Sequence, residues 1–211
     1  MVVEQRRRFN GLVPFLIFMF VVFSLAGIYA DWLWFGSVGY LSVFKTMIYS
    51  KILLGICVFL VFFLMLYGNF WVVSKRITIS QKQVYISAIS LISLTAAILL
   101  SGLWMTFNRF FNYVGFGFGD PVFHKDIGYY LFVLPVLRVI VFVLLFLMII
   151  TLILTALAYL VNSKQKKMIK PEDPALEPLQ AIKFELPEKA RIHLAILGGL
   201  TLLPLALFFF L

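Results

Sequence analysis

The chain has 211 residues, 63% of them hydrophobic and 13% charged, with a formal net charge of +9. A soluble domain is about 45–50% apolar and about 25% charged, and could not hide this much apolar surface in a core of this size. The composition therefore excludes a soluble globular enzyme and points to lipid as the solvent.

The first ten residues hold Arg6, Arg7 and Arg8, and an apolar run from Gly11 to Ala30 follows. The pattern resembles a secretory leader, but about 20 apolar residues exceed the usual leader core of about 7–15. The bulky Ile28 also spoils the small-residue pattern before Asp31. The reading is an uncleaved first span over 11–30. A second span is expected over 52–73 and a third over 84–104. A fourth apolar region begins near Ile127 and runs to Val161, interrupted by Pro135 and Arg138. Its part from Val139 to Val161 alone is long enough to cross at about 1.5 Å per residue. The part before it reads as an interfacial or kinked helix. A fifth span is expected over 194–211. The fold class is thus all-α, a polytopic transmembrane bundle of about five spans with interfacial outer helices.

Lysine and arginine orient the bundle. Segments 1–10, 74–83 and 162–192 hold three, three and seven, whereas 31–51 and 105–138 hold two and three. Cytoplasmic loops carry the excess, so the expected N-terminus is cytoplasmic and the membrane is the cell membrane. The basic residues sit in short loops, which fits attraction to anionic lipid and not nucleic acid. The single cysteine, Cys57, rules out an intrachain disulfide. The 162–192 segment, with Pro171, Pro174, Pro178 and Pro187, reads as an extended connection. The sequence stops at "LPLALFFFL" without a polar anchor, so a fragment of a longer protein is the expectation.

The outer segments carry the distinctive residues: "DWLWFGSVGYLSVF" at 31–44, "FGFGDPVFHKDIGYYLFVLPVLR" at 116–138, and later "KARIHLAILGGL" at 189–200. In order and spacing these resemble the N-terminal part of Uncharacterised Protein Family 0182, over nearly the whole chain. The resemblance implies a prokaryotic multi-pass membrane protein with about seven spans followed by a large extracytoplasmic domain, of which this chain holds the first five spans. The family has no established activity, so the resemblance supplies no catalytic residues.

Asp120, His124 and Asp126 form the strongest polar cluster. Carboxylate and imidazole can ligate a divalent ion where three converge. Equally, Asp120 before Pro121 suits a turn, and Asp126 suits the cap of a helix starting at Ile127. Arg138 is the one charge placed within an apolar region away from a loop. It reads as an outer anchor or a partner of Asp31, Asp120 or Asp126, with a substrate or ion site as the sharper alternative. Ser90, Ser93, Ala97 and Ser101 share one helical stripe, expected to pack the third span into the bundle. Gly198, Gly199 and Pro204 are expected to allow close packing or a kink in the fifth. The glycines of "GFGFG" at 115–119 lack the spacing and setting of a dinucleotide loop. No predicted span contains Asp or Glu, which argues against a cation-coupled pump. No residue pattern calls for a cofactor or a catalytic set. The expected partners are the lipid bilayer, with adjoining membrane proteins or a second copy. The reading is a membrane-embedded platform for an external domain. The alternative is a transporter or channel subunit for a small or lipidic substrate, and a membrane-bound enzyme built on the 120–126 cluster comes third.

Overall fold

A computed structural model describes residues 2–77, 79, 81–162 and 187–210. The proline-rich connection read between the fourth and fifth spans lies mostly outside the described residues. The described chain is helical, with α1 Val2–Ser37, α2 Leu41–Arg76, α3 Lys82–Ser101, α4 Trp104–Phe111, a π-helical turn at Tyr129–Val133, α5 Leu134–Asn162 and α6 Glu188–Phe210. Five helical stretches are long and apolar enough to cross a membrane: Pro14–Ser37, Leu41–Arg76, Lys82–Ser101, Tyr129–Val161 and Glu188–Phe210. Their outward side chains match a lipid environment. Phe20, Phe23, Leu91, Leu99 and Leu203 are 60–75% exposed, a state water would penalise and acyl chains would not.

The chain forms two compact units, residues 1–51 and 52–211. In the first, the 31–44 segment is the end of one helix and the start of the next. α1 continues through Asp31 to Ser37, and α2 begins at Leu41. The reversal is made by Gly39, whose φ of 79° suits a residue without Cβ. Its N–H donates to the Gly36 carbonyl, and the Tyr40 N–H donates to that of Phe35 at 2.9 Å. This double closure ends a helix while satisfying its last carbonyls. The Phe35 ring then meets Phe44 at 5.6 Å between centroids.

In the second unit, α2, α3, α5 and α6 share one core. Phe62, Leu66, Phe70 and Val73 of α2 meet Ile89 and Ala96 of α3, Leu147, Ala158 and Tyr159 of α5 and Ala190 of α6. The small stripe of α3 works as read, with Ser93 fully buried and Ala97 buried. Gly55 of α2 faces it, its missing Cβ lying 3.7 Å from both the Ala97 carbonyl and the Ser101 Cβ. In α6 the glycines make no close packing contact among the described residues. Nothing lies within 4 Å of where a Cβ would stand on Gly198 or Gly199, and the helix runs on through Pro204.

Two breaks shape the site-bearing end. α3 stops at Ser101, three residues short of the expected Trp104, because the chain tightens. The Gly102 and Leu103 N–H groups reach back only three residues, to Leu99 and Leu100. α4 then restarts and packs against α5 and the π-turn. Within the fourth apolar region the helix does not break at Pro135. Pro135 has no N–H to give and its ring would crowd the carbonyl four residues back. The turn before it widens instead, so that the Leu134 N–H donates to the Tyr129 carbonyl, five residues away. The result is one helical course from Tyr129 to Val161.

Candidate functional site

The loop that leads into this helix is built around Asp126. Its Oδ1 accepts the N–H of Phe116 at 3.1 Å and of Gly128 at 2.6 Å, and its Oδ2 accepts the N–H of Gly117 at 2.9 Å. One carboxylate thus caps the helix start and ties down the aromatic-glycine loop ten residues earlier. Gly117 adopts a φ of 74°, which glycine takes without strain. Gly128 lies so deep in the clamp that a Cβ there would stand 2.7 Å from Tyr113 Cε2 and 2.9 Å from Asp126 Oδ1.

Between these anchors the chain makes a short hairpin. The Asp120 N–H donates to the Lys125 carbonyl at 2.8 Å and the Ile127 N–H to that of Phe118 at 3.0 Å. Gly119 and Asp126 pair as an isolated antiparallel bridge. Asp120 closes the tip: its Oδ2 accepts the Phe123 N–H at 2.7 Å and the Tyr130 hydroxyl at 3.2 Å. The turn carries His124 into the left-handed region, φ 53°. The backbone N–H of Phe123 holds the Asp120 carboxyl below the usual carboxylate range. That of Phe116, followed by that of Gly128, does the same for Asp126. The tip presents apolar side chains outward, Phe118, Val122 and Phe123 each 71% exposed.

Of the residues singled out from sequence, Asp120 and Asp126 are therefore brought together with backbone amides. Among the described residues no three His, Cys, Asp or Glu side chains converge as a metal site. His124 joins the turn through its backbone N–H, given to the Asp120 carbonyl at 2.9 Å. Arg138 lies on an exposed face of α5, beyond the π-turn.

A second polar cluster, which sequence reasoning missed, sits at the other end of α5. Thr151, Thr155 and Tyr159 follow one another at four-residue spacing and are each 1% exposed. Thr151 and Thr155 donate back to carbonyls one turn earlier. Asn69 of α2 donates its Nδ2 to Thr155 Oγ1 across the helix interface. The Tyr159 hydroxyl meets His193 Nδ1 at 3.0 Å, with Arg76 beside both rings. Arg76 also donates to the Lys189 carbonyl at 2.8 Å, joining the end of α2 to the start of α6. His193, which its position after Lys189 and Arg191 marks as a residue of the membrane edge, is buried. The period-four Thr/Tyr row on α5 was the available signal, since polar side chains repeating on one face of a lipid-embedded helix turn inward. A cavity of about 20 Å³ beside Asn69, Tyr85 and Thr155 has room for one water.

Comparison with known proteins places the chain among relatives. The model of the uncharacterised protein family UPF0182 matches residues 9–211. A UPF0182 protein of Pelotomaculum thermopropionicum is 33% identical over 148 residues, covering 57% of this chain and 16% of its own length. One from Desulforamulus reducens is 30% identical, covering 85% and 22%. One from Corynebacterium diphtheriae is 30% identical over 222 residues, covering 95% and 22%. The chain thus spans 16–22% of the length of these relatives. No solved structure matches. With apolar helices able to span a membrane five times and a family match from residue 9 to the last, the chain belongs to the uncharacterised protein family UPF0182.

Proposed function

We propose that the chain is the membrane-embedded platform of a longer polypeptide, anchoring and orienting an extracytoplasmic domain in the cell membrane. The clamp at Asp126 carries this reading. A loop fixed by two carboxylates and a hairpin, with three apolar side chains turned outward at its tip, makes a stiff seat where the fourth span begins. The greater length of the relatives supports the presence of something to seat. Lys75, Arg76, Lys82, Lys189 and Arg191 gather at the opposite helix ends, which supports a cytoplasmic N-terminus and an outer hairpin. The bilayer, and membrane proteins or a second copy within it, are the proposed partners.

The test is a photo-crosslinker placed at Val122 or Phe123 in the full-length protein. Intramolecular adducts on the downstream domain are expected, and adducts on lipid alone overturn the platform. Cysteines introduced into 162–192, after replacing Cys57, should label only from the cytoplasmic side. The alternative of a transporter or channel subunit for a lipidic substrate draws on one feature, an apolar cavity of about 260 Å³ in the second unit. Substrate flux in vesicles reconstituted with the full-length protein would replace the platform reading.

A further inference from the structure

An apolar cavity, called the slot below, lies between α2, the α3–α4 break and α5. Its walls include Cys57, Val58 and Val61 of α2, Leu103 and Phe107 at the break, and Val143 of α5. It opens where α3 stops at Ser101 and the chain turns into α4, so that Leu100, Leu103 and Phe107 line its third side. Apart from the Cys57 thiol these side chains are apolar, so water would lack the two to four partners it needs. A cavity of about 150 Å³ with apolar walls holds a benzene-sized molecule, and this one is about 260 Å³.

We infer that this slot binds one acyl chain of a bilayer phospholipid, with the headgroup phosphate at the level of Arg109 and Arg138. Helix axes stay about 8–10 Å apart, so an added helix would cover the mouth and send in only side chains. An acyl chain is narrow, flexible and the most abundant apolar species at this depth. It supplies dispersion contacts that an empty slot forfeits. Charge complements the polar end. Arg138 immediately precedes the lining residue Val139, Arg109 follows Phe107 by two positions, and both are exposed. In the orientation proposed above the lipid belongs to the outer leaflet. The inference requires the chain to lie in a bilayer and is independent of the platform reading.

The test uses the full chain in phosphatidylglycerol vesicles containing a trace of phosphatidylglycerol with a mid-chain diazirine. After irradiation, adducts are mapped by mass spectrometry. Contact within the cavity instead of on an open face should concentrate label on the half-buried Val58 and Val143 by about five-fold per residue over the exposed Ile153 and Leu157 of α5. Val143→Phe fills the slot and should remove that excess, while Ile153→Phe should leave it intact. Should Val143→Phe misfold, Val61→Phe fills the slot from the α2 side, and the adduct map of the unaltered chain decides by itself. Label spread evenly over slot and open face, or an excess that survives filling in a folded variant, overturns the assignment.

Discussion

Replacing Gly128 by alanine adds one methyl group to the most crowded point of the loop clamp. The new Cβ would stand 2.7 Å from Tyr113 Cε2, 2.9 Å from Asp126 Oδ1 and 3.1 Å from the Val114 carbonyl oxygen. Ordinary contact begins near 3.4 Å, so the Val114 carbonyl must give by a few tenths of an ångström and the other two by more. The Tyr113 ring can shift only at the expense of its hydroxyl's hydrogen bond to Asp126. The other two cannot move freely, because Val114 contributes backbone and the Asp126 carboxylate is already held by three N–H groups. Overpacking costs about 1–3 kcal/mol, and with two stiff obstacles the cost here belongs in the upper half, about 2–3 kcal/mol. That corresponds to about a 30- to 150-fold rise in local opening. Amide hydrogen exchange in micelles measures it directly. Peptides covering 113–128 should exchange faster by that factor, while those covering 145–159 of α5 stay protected. Adding Tyr113→Ala removes the nearest obstacle, so the double variant should lose less than the sum of the two single losses. Exchange at Phe116 and Gly117 within about three-fold of the parent would refute the clamp, since an opening cost below about 0.7 kcal/mol means the amides are not locked there.

Further tests follow from the same geometry. Both loop carboxyls have folded pKa values below their ordinary 3.8. Their contribution is therefore complete above the unfolded value and drains away as pH falls through the folded one. Exchange protection of 113–128 should be flat from about pH 7 to 5 and fall below about pH 4. Asp126→Asn replaces one acceptor oxygen by an NH₂ facing a backbone donor. The loop should open at neutral pH and lose the Asp126 part of the acid response, leaving that of Asp120. Asn69→Leu removes the interhelical bond to Thr155 and should lower stability in a detergent unfolding titration by about 0.5–1.5 kcal/mol. Tyr159→Phe leaves the buried His193 Nδ1 without the hydroxyl, with an expected loss of about 1 kcal/mol in the same titration. Double substitution with His193→Phe should cost less than the sum, because both partners are then gone.

The large features of this protein are written in residue type and spacing. Twenty-residue apolar runs flanked by Lys and Arg define membrane helices without tertiary information, because the bilayer acts on each helix separately. The same independence made the small stripe of α3 legible, since Ser93 and Ala97 follow helical period alone. The capping role of Asp126 was visible as one of two readings, because a cap is a contact between near neighbours. Its hold on Phe116 and Gly117 was not, since that contact depends on how a ten-residue loop folds back. Helix limits moved for a similar reason. Pro135 suggested a break, yet one widened turn absorbs the missing donor, and only backbone geometry reveals that choice. His193 and Tyr159 are 34 residues apart, and Asn69 and Thr155 are 86 apart. Neither pair leaves a local signature, because which polar groups face each other is set by the rotation of whole helices about their axes. The solvent and the segments thus came from sequence, whereas the clamp, the buried polar row and the apolar slot exist only once α2, the α3–α4 break, α5 and α6 are packed.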